Sequence, residues 1–520
     1  MPTIMRKSIS NNLKNVVNRA LAAKKGSLTV ITVCVLTALA LTSCNFLERQ
    51  PWDSVDTTNG FQTEADAEAA VNACYQPLQW AKLYNMRIWT LDIIANESVV
   101  GAGGGSDGLE TVEMANFIAT ADNFAALDLW RGPSPGILRC NFVLKEVPSM
   151  QIENDLKNRM LGEAHFLRAH YYFILVRLFG GVPMPTEPLT SDSNLKMPRA
   201  SVDEVYALII SDLQEAIARL PQRSAYGTKN VGRASKEAAM AELARVYLTY
   251  QPDVAKYNEV VRICEEITSM GYQLAADYAD NFNPAKQNGV ESIFEIQYYG
   301  KTNHDFWSNE NQASWISPFQ GPRNSGMAAG CYGWNQPTPE FAGQYEPGDL
   351  RRDKTLFYAG CPTFDGYTYS SSYSTTGYNV RKFLLTKTQS PDYNTSNQNW
   401  VVTRYADVLL MQAEALNELG RTTEAEAPLY QVRKRAGLSN RSQVEGLSQA
   451  QMRDKIIHER RIELAFEGHR WFDMIRYPNN YALNFLHSIG KTNATSKHLL
   501  FPIPMQEIEA NELLTQNPGY

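Results

Sequence analysis

Histidine is scarce in this chain, seven among 520 residues. None has the spacing of a zinc motif. His458 opens "HERRI", which lacks the second histidine of HExxH. His165 and His170 lie five apart and do not share a helical face well. Cysteine is equally thin, with seven residues and no CxxC pair, which removes zinc ribbons and thioredoxin-type sites. There is no G-x-S-x-G elbow, no P-loop and no dinucleotide fingerprint. No cofactor is expected, and of metals only calcium on surface carboxylates stays open. Also missing is a run of about 20 apolar residues, the length needed to span a bilayer as a helix. A concentrated basic surface is absent too. The chain carries 49 basic and 55 acidic residues, for a net charge of −6. That balance argues against nucleic-acid binding.

The charge is unevenly placed. Arg6, Lys7, Lys14, Arg19, Lys24 and Lys25 precede the first acid, Glu48. Without residues 1–43 the remainder has 43 basic and 55 acidic residues, a net charge of −12. The basic head leads into "SLTVITVCVLTALALTSC", residues 27–44. This apolar run of about 15 residues suits a signal-peptide core. Leu41, Thr42, Ser43 and Cys44 resemble a bacterial lipobox, in which the cysteine is lipidated and becomes the mature N-terminus. Several acyl chains, at about 0.8 kcal/mol per buried methylene, anchor a protein stably. An ordinary signal peptide or an N-terminal anchor is the alternative, and Met5 offers a second start. Five cysteines remain, far apart; Cys74 and Cys264 fall in helical patterns as small buried apolar residues.

The body reads as helices. "TEADAEAAVNACYQPLQW" repeats Ala67, Val71 and Tyr75 at i, i+4, i+8. Leu156, Met160, Ala164, Leu167, Tyr171, Ile174 and Leu178 form one long stripe, ended by Gly180, Gly181 and Pro183. Ser201 and Glu204 form a capping box for a helix that buries Leu208, Ile209, Leu213 and Ile217. Two more helices are expected near 235–250 and 253–270, with Gly271 as a C-terminal cap. "RYADVLLMQAEALNELG" and "EAEAPLYQVRKRAG" make a further pair that loosely echoes a tetratricopeptide unit. Such stacked pairs usually serve as binding surfaces. Between about 272 and 400 periodicity fades. "VESIFEIQYY", residues 290–299, reads as a strand, and the rest is rich in Gly, Asn, Ser, Tyr and Trp. Long irregular loops of this kind tend to carry function.

Five stretches in order resemble the SusD/RagB family of outer-membrane nutrient-binding lipoproteins. They are the lipobox with "NFLERQP", "EAHFLRAHYYFILVRLFGGVP" (163–183), "RYADVLLMQAEALNELG" (404–420), "ERRIELAFEGHRWFDMIR" (459–476) and "HLLFPIPMQEIEANELLTQNPGY" (498–520). The resemblance implies a mainly α fold: a TPR-like superhelix of helical pairs with an irregular loop-rich subdomain containing short strands. The implied organisation is a signal peptide at 1–43, a lipidated tether at 44–61, helical regions at 62–271 and 401–520, and an aromatic ligand-binding subdomain at 272–400. It also implies a surface-exposed, lipid-anchored outer-membrane protein that binds glycans and delivers them to a TonB-dependent, SusC-like transporter. Peptides or glycopeptides are the alternative cargo, and a glycan hydrolase is a third reading. The family is not known for catalysis.

A glycan platform needs aromatic rings for the C–H faces of sugars and polar side chains for their hydroxyls. "GCYGWNQPTPEF" offers Tyr332 and Trp334 beside Asn335 and Gln336, and the resemblance points first to Trp334. Trp307 and Trp315 lie just upstream. "DIIANESVVGAGGGSDG", residues 92–108, matches a loop that supplies ligand contacts in starch-binding relatives. Here it offers Asn96 and Glu97 but no tryptophan, which speaks against a starch-like ligand. The alternative for each aromatic is core packing. Finally, Glu459, Glu463 and Glu467 fall on one face of an expected helix over 459–476. Paired carboxylates suggest glycosidase chemistry, but opposite charges lie three residues apart in a chain of pairs: Arg460 with Glu463, Arg470 with Glu467, Asp473 with Arg470 and Arg476 with Asp473. Apolar stripes flank them on two sides. This stretch is therefore expected to be an ion-paired structural helix.

Overall fold

The computed structural model describes residues 61–101, 107–189, 193–301 and 305–520. The signal peptide, the lipobox Cys44, the tether up to residue 60 and residues 102–106 of the glycine-rich stretch lie outside the described residues.

Residues 61–520 form one unit, built mainly from helices. Helix α1 (Glu64–Tyr75) starts at a capping box between Thr63 and Asp66 and buries Ala67, Val71 and Cys74. Then come α2 (Phe124–Arg131) and α3 (Ser134–Glu146). The long stripe becomes α4 (Asn154–Phe179), which is buried on nearly every side from Arg159 onward. A helix buried this far round must be enclosed by neighbours, and α1, α3 and α5 pack on it. Helix α5 (Val202–Arg219) opens with the Ser201–Glu204 capping box and buries Ile209 and Leu213, while Leu208 and Ile217 are only partly covered. Helices α6 (Lys236–Thr249) and α7 (Val254–Ser269) follow. Gly271, at φ +91°, takes the left-handed turn after α7 that glycine tolerates best.

Helix α8 (Tyr405–Glu418) packs on α7 and pairs with α9 (Thr422–Arg435). Helix α10 (Gln449–Glu463) closes this group against α8 and α9. The stack from α4 to α10 is thus continuous, each helix covering the apolar face of the one before.

Among the described residues six short strands form three antiparallel pairs, β1 lying before α2 and β2 to β6 between α7 and α8. Strand β1 (Ser98–Val100) pairs with β3 (Asn335–Pro337), β2 (Ser292–Ile296) with β6 (Trp400–Arg404), and β4 (Leu356–Tyr358) with β5 (Tyr378–Val380). The pairing of β2 with β6 ties the start and end of the irregular region directly to α8, which β6 runs into. One hydrophobic core runs from α1 to the C-terminal segment, and a smaller cluster around Met327, Cys331, Phe357 and Leu384 supports the β4–β5 hairpin.

The stretch 459–476 is not one helix. Helix α10 ends at Glu463, and α11 (Arg470–Arg476) begins after a turn in which Phe466 and Gly468 have φ of +62° and +75°. Glu467 therefore leaves the face shared by Glu459 and Glu463. Of the local charge pairs expected there, Asp473 with Arg476 forms at 2.8 Å. Arg460 instead reaches across the turn to Asp473 at 3.1 Å and to Asp407 at 2.8 Å. The turn creates this geometry by folding α11 back toward α10.

Candidate functional site

The segment 330–334 is the local key to the aromatic region. Gly330, Cys331 and Gly333 have φ of +80°, +53° and +63°. A Cβ on Gly333 would lie 2.9 Å from the Cβ of Arg323, so the chain needs glycine there both for conformation and for space. The segment runs beside 318–321, with Tyr332 N–H donating to Pro318 O at 3.0 Å and Gly333 N–H to Gly321 O at 2.8 Å. This holds Tyr332 at the surface, 36% exposed.

Three rings then line up. Tyr393 lies between Trp315 and Tyr332. Its centroid is 5.5 Å from that of Trp315 with planes 19° apart, and 6.2 Å from that of Tyr332 with planes 11° apart. Tyr393 is 40% exposed. Phe306 and Phe319 back the row, Phe306 at 4.9 Å from Trp315 and Phe319 at 5.6 Å from Tyr332. Trp307 extends the exposed surface beyond Phe306 and is 55% exposed. Hydrogen bonds fix the row. The Trp315 indole N–H donates to Asn394 Oδ1 at 3.2 Å and its backbone N–H to Asn85 Oδ1 at 2.8 Å. The loop bearing Tyr393 is pinned by Ser314 N–H to Ser396 O at 3.0 Å and by Gly300 N–H to Asn397 Oδ1 at 2.7 Å. Burial, with the hydrogen bond to Tyr393 next, lifts the Tyr332 phenol to about 12, so it stays protonated and able to donate.

The structure brings Trp315, Tyr332 and Trp307 together and removes three other residues singled out from the sequence. Trp334 is 5% exposed, its ring edge-on to Trp89 at 5.8 Å and packed under Gly108, where a Cβ would come within 2.2 Å of the indole. It belongs to the core. Its neighbours Asn335 and Gln336 are buried in β3, where the Gln336 carbonyl accepts from the Thr375 N–H at 2.9 Å. Asn96 is buried, with its carbonyl accepting from the Thr338 hydroxyl. Glu97 is fully buried and paired with Arg461 at 2.8 Å. The reason is shared: β1 pairs with β3, so the 92–101 stretch is structural support beneath the aromatic row. Tyr393 is the residue that sequence reading missed. Its signal is an aromatic amid Asp392, Asn394 and Ser396 in a long polar loop.

The acidic triplet has a different fate. Glu463 meets Arg351 at 2.8 Å and also Arg404 and Arg435. Arg404 grips Glu467 with two bonds of 2.8 Å and Glu291 at 2.7 Å. Glu459 pairs with Arg351 and with Arg433 at 2.8 Å, and Lys382 reaches Glu467 at 2.6 Å. Burial alone would raise the Glu463 carboxyl, but the guanidiniums of Arg435, Arg404 and Arg351 outweigh it and hold it well below the usual range. A glycosidase acid needs the opposite shift and access to substrate; Glu463 and Glu467 have neither, and Glu459 is fully buried. Among the described residues no cluster of three or more His, Cys, Asp or Glu could hold a metal. His165 pairs with Asp212, and His170 bridges Tyr84 and Glu242.

Comparison with known proteins bears on the same features. Residues 290–520 match the model described as SusD family, and residues 45–248 match one described as starch-binding associating with outer membrane. The SusD-like protein P2 of Formosa agariphila is 28% identical, covering 94% of this chain and 99% of its own. A laminarin-binding SusD-like protein of known structure is 29% identical with TM-score 0.77, covering 88% of this chain and 100% of its own. Surface glycan-binding protein A from Bacteroides thetaiotaomicron, solved with laminarihexaose, is 26% identical with TM-score 0.72, over 87% of this chain and 99% of its own.

Proposed function

Because the chain belongs to the SusD family, we infer that it is a surface glycan-binding lipoprotein that uses the aromatic row as its platform. The observation that carries this reading is the near-parallel set of half-buried Trp315 with exposed Tyr393 and Tyr332. Near-parallel rings 5.5 and 6.2 Å apart can receive neighbouring sugar rings of one oligosaccharide, and Asn394 and the phenols supply hydrogen bonds to hydroxyls. The names of the similar structures, laminarin-binding and laminarihexaose-bound, support a neutral glucan as the first ligand to try.

The outer-membrane association in the family description supports the lipobox at Cys44 as the anchor. With that anchor the platform hands captured glycan to a TonB-dependent, SusC-like transporter. Titration calorimetry of the mature chain with laminarihexaose tests the platform. Saturable binding that is lost in Trp315→Ala and Tyr393→Ala supports it; tight binding of a peptide pool with silent glycans overturns it. Cross-linking on intact cells tests the partner, and recovery of only uncomplexed protein would refute the delivery role.

A further inference from the structure

The aromatic row leaves a second cavity unexplained. A cleft of about 900 Å³ lies between the 276–278 turn, the 345–354 segment, the base of the β4–β5 hairpin and α9. Its floor is the buried ion network, for Arg351 and Arg435 line it while Glu459, Glu463 and Glu291 hold them from behind. Its size falls in the range of small-ligand pockets, about 300–1,000 Å³.

Arg352 is the unusual group there. Its guanidinium lies over the Tyr358 ring, 4.5 Å from the centroid. Tyr358 in turn donates its hydroxyl to Asp353 at 2.6 Å, which holds the ring in place. Among the described residues the Arg352 side chain makes no ion pair, and its buried Nε has no acceptor. One further buried donor on the same cleft shares that condition, Nε of Arg435, whose side chain is 6% exposed. Of the four carboxylates that line the cleft, three are ion-paired: Asp349 with Arg351 at 2.7 Å, Glu346 with Arg433 at 2.7 Å and Lys455 at 3.0 Å, and Asp277 with Lys354 at 3.1 Å. The fourth, Asp353, accepts from the Tyr358 hydroxyl at 2.6 Å.

A guanidinium over an aromatic ring and without an ion pair keeps N–H donors for a ligand, and their fork matches two oxygens of one oxyanion. We propose that this cleft is a second ligand site, separate from the aromatic row, that takes an acidic sugar through its carboxylate or sulfate group. Arg352 supplies the bidentate fork through its Nη groups, Arg351 and Arg435 on the floor add positive charge, and Tyr345 and Tyr278 line the wall. The site does not depend on the platform reading, since it uses none of the platform residues.

The test is titration of the mature chain with glucuronate, glucose 6-sulfate and glucose. Saturable binding of one or both acidic sugars without binding of glucose is expected. Whether carboxylate, sulfate or both bind identifies the oxyanion. Arg352→Gln should weaken it at least about tenfold, as loss of a charge-assisted fork does. Arg352→Lys, which keeps the charge but not the fork, should fall in between, and Tyr393→Ala should leave the affinity unchanged. Equal binding of glucose and glucuronate, an Arg352→Gln variant as tight as wild type, or loss of acidic-sugar binding in Tyr393→Ala would each overturn the proposal.

Discussion

Glu463→Gln is a near-isosteric change that removes one negative charge from the interior. Around it, five cations (Arg351, Lys382, Arg404, Arg433, Arg435) face five acids (Glu291, Asp349, Glu459, Glu463, Glu467), every side chain no more than 6% exposed. The substitution leaves one uncompensated positive charge among Arg351, Arg404 and Arg435, far from solvent. Removing one partner of a buried pair costs about 3–5 kcal/mol, a large share of a total stability of about 5–15 kcal/mol. With a urea slope of at least about 3 kcal/mol/M for a chain of this size, the midpoint should fall by roughly 1 M. Glu259→Gln, which breaks an exposed pair with Arg262, should cost under about 0.5 kcal/mol and so shift the midpoint by under about 0.2 M. The pH arm has a definite sign. The Glu463 carboxyl is lowered from 4.5 in the folded state, so its contribution is full above about pH 4.5 and is lost as pH falls below that. Glu467 and Asp473, the latter brought down to about 2, act in the same direction. Wild type should therefore lose stability steeply below about pH 4.5, and Glu463→Gln should lose less over the same window. A Glu463→Gln midpoint equal to that of Glu259→Gln, or an unchanged acid limb, would refute the network as a source of stability.

Other perturbations separate platform from support. Tyr393→Ala should weaken laminarihexaose binding about tenfold, the value of a lost aromatic stack of about 1.4 kcal/mol, as read by calorimetry. Trp334→Phe should lower the thermal midpoint while leaving that affinity within about twofold, because Trp334 packs in the core. Gly468→Ala places a Cβ 2.9 Å from Ile88 Cγ2 at φ +75° and should cost about 1–3 kcal/mol in urea unfolding. Of the five described cysteines only Cys361 is partly exposed; Ellman's reagent should titrate one of these thiols in the native state and five after denaturation.

How far the chain could be read without coordinates depended on what each stretch is periodic in. Helix α4 was legible because Leu156 to Leu178 repeat a single stripe, and α5 because Ser201 and Glu204 mark its start. The strand near 290–299 was legible from β-branched and aromatic residues, though not its partner, since pairing with 400–404 is a contact across the whole irregular region. The break inside 459–476 was hidden because Phe466 carries φ +62° without being glycine, so the helical pattern ran on across it. The charges there were visible, but their partners were not. Arg351, Arg404, Arg433 and Arg435 come from other elements, and only Asp473 with Arg476 is a local pair.

The aromatic region shows the limit most sharply. Tyr332 and Trp334 are two residues apart in one loop, yet one is exposed and the other buried. What decides between them is backbone sign. Positive φ at Gly330, Cys331 and Gly333 turns Tyr332 outward, and entry into β3 turns Trp334 inward against Trp89. Composition cannot carry that information, because both residue types stack equally well on sugars and on cores. Tyr393 gains its place in the same way, through a loop fixed by Ser314 and Gly300 from elsewhere in the chain. A ligand surface built from such loops can change its specificity by moving one aromatic while the ion-paired helices beneath stay as they are. If so, exchanging the 390–397 loop for that of a relative with another glycan should change the ligand bound and leave the unfolding free energy from urea within about 1 kcal/mol. A swap that unfolds the protein, or one that leaves glycan preference untouched, would show that this loop is part of the scaffold.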